Sequence, residues 1–475
     1  MTYDQALSYI NNYTWSTSRP GLDRTKELLK RLGDPQKSLK FVHVAGTNGK
    51  GSTCAMLGAI LSEAGYKAGL YPSPYIEDFR ERIEINGKMI PKNELANITE
   101  TVSKEADVME DHPSQFELIT AIGMLYYKKM GCDIVVLEVG MGGLLDSTNV
   151  IDAPEAAVIT NIGLDHTEYL GDTIEKIAET KAGIIKPGSD VIVYDNVPSV
   201  MEVIDAACKK NGAVMYDTKG LTEPISHSLT GQSFIYHRYS INDRYNSFEN
   251  ACTVGSSAAK TDMELRLSLL GTHQLKNAAV VLKTIDVLIK KGFCISDEAI
   301  KKGLINVRWP ARFEILSETP LFILDGGHNP QCADALSENI YEYIYKANIY
   351  DNGMTAENDM TGRSGSENTK DMRCVTFLIG MLADKDYERT LEIIRPYGVN
   401  YVCITPDSPR ALKAAELAEA VKRACRHEAH TVNICEENDI EKAIKKALLF
   451  GLPVVAFGSL YSAGDIRRTF RRLVL

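Results

Sequence analysis

Apolar positions along this chain follow two rhythms. Short apolar runs at Phe41–Ala45, Asp133–Val139, Ala156–Thr160 and Asp190–Val193 read as strands buried on both faces. Residues 3–12, 21–32, 52–65, 115–129 and 173–183 instead space their apolar positions three and four apart, as helices do. Strands alternating with helices predict a doubly wound, mostly parallel α/β sheet. A second alternation follows Trp309-Pro310, with strands at Leu321–Leu324, Cys374–Ile379, Asn400–Ile404 and Pro453–Phe457. It predicts a second, smaller, Rossmann-like α/β domain. The segment 225–265 alternates polar and aromatic residues, as in Ser233-Phe234-Ile235-Tyr236, and reads as hairpins or an edge extension. Helices are expected over 273–292 and 297–304. The boundary falls near 295–310, giving domains 1–297 and 298–475. Residues 347–371 lack periodicity and are rich in Asn, Gly, Ser, Thr, Asp and Glu, so a mobile insertion is expected there.

Composition narrows the class. A chain of 475 residues suggests two or three domains, and 44% apolar residues suffice for a full core. The formal charge of −10 disfavours nonspecific nucleic-acid or membrane binding, so an anionic substrate must meet a local basic patch. No apolar run approaches the roughly 18 residues a membrane span needs. Met1-Thr2-Tyr3-Asp4 opens neither a basic segment nor an apolar one, so no secretory signal is expected. The ten cysteines are scattered without C-x-x-C spacing, which argues for reduced thiols in the cytoplasm and against a zinc site.

Candidate chemistry gathers at the predicted strand ends. Gly46-Thr47-Asn48-Gly49-Lys50-Gly51-Ser52-Thr53 lies between a strand and a helix, the setting of a phosphate-binding loop. Lys50 is suited to neutralise β- and γ-phosphates, and Ser52 or Thr53 to face a magnesium ion. The strict pattern G-x-x-x-x-G-K-[ST] is broken by Gly51. An ordinary glycine turn would explain fewer of these features together. Glu138 ends an apolar strand, where open α/β sheets bind ligands, and Gly140, Gly142 and Gly143 follow it. Asp165-His166 follows a third strand, and Asp325-Gly326-Gly327-His328 follows the first strand of the second domain. From the residues alone, Lys181 is a plain helix lysine. Two sites on two domains suggest a cleft suited to a ligase that shields an activated intermediate from water.

The chain resembles the folylpolyglutamate synthase/dihydrofolate synthase family, relatives of the Mur ligases. The resemblance rests on HVAGTNGKGST (43–53), YPSPYIEDFRERIEING (71–87), SQFELITA (114–121), LEVGMGGLLDSTNV (137–150), TNIGLDHTEYLG (160–171), ETKAGIIKPG (179–188), LLGTHQLKNA (269–278), WPARFE (309–314), LDGGHNP (324–330) and FGSLYSAGDIR (457–467). It implies ATP-dependent amide ligation of L-glutamate to folates or dihydropteroate through an acyl phosphate. It also implies that Lys50, Lys181 and His166 are catalytic, and that ATP contacts Gly46–Thr53 together with Asn277, Arg312 and Asp325 from across the cleft. Ser73, Glu138, His166 and a carbamylated Lys181 would hold magnesium. Arg82, Phe116 and Asp146 would meet the pterin substrate, and His328 and Ser459 the glutamate. The family commonly carries Arg at Leu144, Gly at Ala311, Thr at Ser114 and His at Tyr75.

Two other readings compete. Mur enzymes carry an N-terminal domain for a UDP-sugar precursor, and the roughly 40 residues before the loop are too few for one. A phosphate-loop switch or a nucleotide-binding scaffold would not need the second domain with its Asp-Gly-Gly-His turn. The expected partners are small molecules only, on a monomer.

Overall fold

The computed structural model describes residues 1–13, 21–238, 261–346, 372–426 and 431–474. Its chain forms two compact units. One comprises Met1–Ser226, Ser233–Ser268 and Gln274–Arg308, the other His227–Gln232, Leu269–His273 and Trp309–Leu475.

The first unit is built on strands β1 (Phe41–Ala45), β2 (Ala68–Tyr71), β3 (Glu84–Ile85), β4 (Lys88–Met89), β5 (Ile134–Glu138), β6 (Ala156–Ile159), β7 (Asp190–Val193) and β8 (Val214–Asp217). They form one sheet in the order β4-β3-β2-β5-β1-β6-β7-β8. The pairs from β2 to β8 are parallel, and β3 and β4 extend the edge antiparallel. Strands β1, β5 and β6 are buried at every position, which is why they read as unbroken apolar runs. The sequence pattern missed β2, whose Gly69 is there for space: a Cβ on it would lie 2.9 Å from the Tyr127 ring.

Strands β9 (Thr222–Ser228), β10 (Gly231–Arg238) and β11 (Thr261–Leu267) form a separate three-stranded sheet, so the alternating 225–265 segment does not extend the large sheet. The second unit holds β12 (Glu314–Glu318), β13 (Leu321–Leu324), β14 (Val375–Ile379), β15 (Gly398–Cys403), β16 (Asn433–Glu436) and β17 (Val454–Phe457), ordered β12-β13-β17-β14-β15-β16. All its pairs are parallel except the edge pair β12–β13. The fold class is thus the expected one, two α/β units on mostly parallel sheets. The expected insertion at 347–371 lies outside the described residues. Among those described, no helix is long and apolar enough to cross a membrane, and none of the cysteines forms a disulfide.

One buried polar chain ties β1 to the loop that follows β5. His43 is fully buried, with Nε2 2.9 Å from Thr148 Oγ1. Thr148 spends its own proton on Asp146 Oδ1 at 2.6 Å, so the imidazole must donate at Nε2. Its Nδ1 meets no hydrogen-bond partner among the described residues. Burial, reinforced by the charge of Lys186, pushes the His43 pKa down to about 3. The unfolded chain binds this proton near pH 6.5 and the folded chain only near 3. The group therefore costs nothing above 6.5 and destabilises progressively as pH falls towards 3, by about 2 kcal/mol at pH 5. His43→Gln, which keeps a donor for Thr148 without a titrating ring, should narrow the loss of Tm between pH 7 and pH 5. An unchanged acid limb would mean that other groups control it.

Candidate functional site

The strand order places the predicted chemistry side by side. Strands β2, β5, β1 and β6 are consecutive neighbours, so the segments leaving their carboxyl ends meet: Ser73, Glu138, the glycine loop and Thr160–His166. The helix Lys50–Glu63 begins two residues earlier than its apolar spacing indicated, because Gly49 caps it in the left-handed region (φ 86°). Lys50 is therefore the first helical residue. The first intrahelical bond runs from Thr53 N–H to the Gly49 carbonyl (2.9 Å), so the amides of residues 49–52 precede it and face the helix end. That is the anion-binding part of the loop. The amides of Thr47 and Asn48 are not free for it, since both donate to the Asn161 carbonyl (2.8 and 3.2 Å).

Glycine is required at Gly46 by a close approach. A Cβ there would sit 1.8 Å from Thr160 Oγ1, and the Thr160 hydroxyl reaches the carbonyls of Ala45 (3.2 Å) and Asn48 (2.8 Å). The segment leaving β6, the sheet neighbour of β1, thus braces the loop, a role sequence reasoning did not assign to Thr160.

Two lysines converge on one oxygen. Lys50 Nζ donates to the carbonyls of Gly46 (3.0 Å) and Thr47 (3.2 Å), and Lys181 Nζ donates to the same Gly46 carbonyl (2.8 Å). Lys181 is buried, at 4% exposure. Burial first, and the nearby Lys50 charge second, lower its pKa to about 7. From the residues alone Lys181 reads as a plain helix lysine; it does lie on the helix Ile174–Ala182, but its side chain is buried. It is seated by the glycines after Glu138: a Cβ on Gly143 would lie 2.9 Å from the carbonyls of Thr180 and Lys181, and Leu144 N–H donates to the Thr180 carbonyl (2.9 Å).

Glu138 is buried, and its Oε2 accepts the Ser73 N–H (3.1 Å). Arg82 Nη1 lies 3.4 Å from Ser73 Oγ. His166 sits at φ 50° ahead of the short helix Thr167–Leu170, its N–H on the Asp165 carboxylate (2.9 Å). Among the described residues, no cluster of three or more His, Cys, Asp or Glu side chains could by itself hold a metal ion. Ser52 Oγ accepts from Gln274 Nε2 (3.2 Å), and Gln274 Oε1 accepts from Asn277 Nδ2 (3.0 Å). Thr53 Oγ1 is buried with no hydrogen-bond partner among the described residues. Asn277 belongs to the same unit as the loop, and a Cβ on Gly49 would meet its Oδ1 at 2.5 Å. The expectation that it reaches in from the other domain is corrected by this packing.

Asp146 is less available to a ligand than the sequence suggested. Its carboxylate is buried and accepts the N–H groups of Met141 (2.9 Å) and Thr148 (3.0 Å) besides the Thr148 hydroxyl. Burial raises its pKa while those bonds lower it. Phe116, at the start of the helix Gln115–Met130, lies against Gly140, where a Cβ would be 2.5 Å from its Cζ.

The second unit gathers its own set. Asp325 follows β13, and its two oxygens accept the N–H groups of Phe313 (2.8 Å) and Gly327 (2.7 Å). It thereby joins the Trp309–Glu314 segment to the glycine turn. Arg312 lies beside that turn, its Nη1 3.2 Å from where a Gly326 Cβ would be. Ala311 and Phe313 flank it at φ 53° and 45°. At Ala311 the side chain in this left-handed conformation costs about 1 kcal/mol. The Glu314 carboxylate, which accepts the Ala311 N–H (2.9 Å) and Arg467 Nε (2.9 Å), helps hold the strained segment. His328 Nδ1 donates to the Gly326 carbonyl (3.2 Å). Ser459 is buried and accepts the Tyr461 N–H (3.1 Å) at the head of the helix Leu460–Val474. His273, not singled out by sequence, is buried near Asp325 and Arg312, and burial lowers its pKa.

Comparison with known proteins places this geometry. Residues 44–285 match the model of the Mur ligase middle domain. The dihydrofolate synthase/folylpolyglutamate synthase of Bacillus subtilis is 32% identical over 480 residues, covering 99% of both chains. The crystal structure of folylpolyglutamate synthase from Thermotoga maritima superposes with a TM-score of 0.78 at 30% identity, covering 99% of this chain and 96% of that one. Escherichia coli FolC in complex with DHPP and ADP gives a TM-score of 0.78 at 27% identity, covering 100% and 99%. With a family model spanning half its length and a relative matching end to end, the chain belongs to the folylpolyglutamate synthase/dihydrofolate synthase family of the Mur ligase superfamily.

Proposed function

We propose that this protein joins L-glutamate to a folate or dihydropteroate carboxylate, using ATP. The observation that carries the reading is the pair of lysines on the Gly46 carbonyl. Burial and the neighbouring Lys50 disfavour a second positive charge at Lys181, so that amine is held ready to be neutral while Lys50 is left to meet an anion. A helix end with unpaired amides beside them is built for the phosphates of a nucleotide. A different P-loop protein, such as a switch, would use the same loop, but the family supplies the acceptor chemistry.

In this reading the acceptor carboxylate attacks the γ-phosphorus, ADP leaves, and an acyl phosphate forms. The glutamate amine then attacks the acyl carbon, and inorganic phosphate leaves as the amide bond forms with loss of a proton. Lys50 and the helix amides neutralise charge on the phosphates, so the work is positioning and electrostatics. Gly46–Thr53 and Asn277 bind the nucleotide, and the family resemblance assigns Arg312 and Asp325 to the nucleotide as well. Arg82, Phe116 and Asp146 serve the pterin side, Asp146 by fixing the backbone at Met141 rather than by a free carboxylate. His328 and Ser459 serve the glutamate. Residues 1–297 act as the ATP-binding domain and 298–475 as the glutamate domain, in a cytoplasmic monomer.

The oxygen donors fit magnesium: a buried carboxylate at Glu138, the hydroxyl of Ser73, whose N–H that carboxylate accepts, and the Thr53 hydroxyl of the loop, which meets no partner among the described residues. Glu138, Ser73 and His166 would hold the ion, which when bound adds positive charge to the phosphate oxygens. Lys181 would contribute as a carbamate. Its depressed pKa favours this, because only a neutral amine adds to carbon dioxide, forming N–COO⁻ and releasing a proton.

Incubation with ATP, magnesium, labelled glutamate and either dihydropteroate or tetrahydrofolate should yield acceptor extended by glutamyl units, with one ADP per unit. Failure of both acceptors would remove the folate reading. Lys181→Met should cut turnover by about 100-fold or more, as loss of a charge-stabilising group does, without rescue by bicarbonate. In carbon-dioxide-free buffer at pH 7 that variant should melt no lower than the parent, since burying the ammonium is destabilising. The parent's own stability should rise from about pH 7 towards 10.5, because there the unfolded chain keeps a proton the folded chain has lost. Carbamate uptake followed by intact mass should rise with a midpoint near pH 7, and a midpoint near 10 would place the amine in water.

A further inference from the structure

The segment that leaves β6 meets the phosphate loop along one edge and turns its other edge away. Towards the loop, the Asn161 carbonyl accepts the N–H groups of Thr47 (2.8 Å) and Asn48 (3.2 Å), and Asn48 and Asn161 pair as an isolated antiparallel bridge. The Thr47 hydroxyl donates to the Gly163 carbonyl (3.0 Å) and accepts the Gly163 N–H (3.1 Å). The Thr160 hydroxyl reaches the Asn48 carbonyl (2.8 Å). Residues 46–48 and 160–163 are thus closed on each other like two short strands. The Thr47 hydroxyl and the amides of Thr47 and Asn48 are spent on protein, which leaves the amides of residues 49–52 to meet phosphate. Where that second half of the loop points depends on how firmly the first half is held.

The far edge of the same segment is held by one side chain. On the β7 side, β6 ends with a backbone bond from Tyr194 N–H to the Ile159 carbonyl (2.9 Å). Past that point Asn196, half-buried three residues after β7, takes over. Its Oδ1 accepts the Ile162 N–H (2.9 Å), and its Nδ2 donates to the Tyr194 carbonyl (3.0 Å) and lies 3.4 Å from the Thr160 carbonyl. A carboxamide offers both an acceptor and donors, so it can continue a ladder where a strand has stopped. The Asn161 carbonyl and the Ile162 N–H are the two ends of one planar peptide and point opposite ways. Asn196 on one side therefore sets the direction of the oxygen that holds Thr47 and Asn48 on the other. The segment then runs directly on to Asp165 and His166, and residue 196 lies outside every motif that carries the family resemblance.

We propose that Asn196 is a positioning residue for nucleotide binding, acting through the Asn161–Ile162 peptide to hold the first half of the phosphate loop. This rests on the nucleotide part of the ligase reading above. Asn196 works through backbone rather than on the ligand, so its loss is felt by ATP and ADP and not by the acceptor.

The test compares nucleotide and acceptor on the same preparations of parent, Asn196→Leu, Asn196→Asp, Thr47→Val and the Thr47→Val/Asn196→Leu double variant. ADP affinity is measured by calorimetry with magnesium present, and KM values are taken for ATP and for acceptor. Asn196→Leu, close in size but unable to hydrogen-bond, should weaken ADP binding and raise KM for ATP about tenfold, the size of one or two lost hydrogen bonds, while acceptor KM stays within about twofold. Asn196→Asp keeps an acceptor for the Ile162 N–H and loses the donor, so it should fall between the parent and Asn196→Leu. In the Thr47→Val background Asn196→Leu should cost less than it does alone, because both changes act through residues 161–163. Unchanged ADP affinity in Asn196→Leu (or in Asn196→Asp, if the leucine variant does not fold) overturns the proposal while nucleotide binding by the parent stands. An acceptor KM that rises as much as KM for ATP does the same. A parent that binds no ADP overturns both this role and the nucleotide reading.

Discussion

The carbonyl oxygen of Gly46 is the point on which the candidate active site depends. It accepts from Lys50 in the loop's own helix and from Lys181 more than a hundred residues later. Its residue can have no side chain, because the Thr160 hydroxyl occupies that space. One backbone position thereby joins two strand ends and two helices. Burial first, and the Lys50 charge second, hold the Lys181 pKa down to about 7. With Lys181 held towards its neutral form, Lys50 and the helix amides are left as the positive groups that meet an anion.

The rest of the first unit supports that point. The glycines at 142 and 143 let the loop after Glu138 lie against the turn carrying Lys181, and Asp146 fixes the same loop through Met141 and Thr148. His43 continues the chain of contacts back into β1, two residues before the carbonyl's own strand ends. Residues that look like ligand contacts in a motif are thus partly scaffold. Asp325 repeats the theme in the second unit, where its two oxygens hold a strained segment and a glycine turn in register.

Much of this was legible in the chain. Fully buried parallel strands are continuous apolar runs, so β1, β5, β6 and β7 stood out, and a glycine-rich stretch between strand and helix marks a phosphate site by itself. Short or mixed elements did not stand out. Strand β2 has two small residues in four, and β3 and β4 are only two residues each, too short for any period. The start of the helix at Lys50 was hidden because Gly49 and Gly51 weaken helical spacing, whereas the left-handed cap that starts it is a matter of backbone angle.

By itself the sequence determined that the chain is a two-part α/β protein with a phosphate loop, and its motifs determined the family. Those follow from local periodicity and from residues adjacent in the chain. Only the tertiary structure decided that the helix residue Lys181 is buried against the glycine loop rather than solvated, that Asn277 packs beside Gly49, and that the Asp146 carboxylate is already spent. Each depends on desolvation or on a hydrogen bond between residues far apart in sequence, and neither quantity exists until the strands are set side by side.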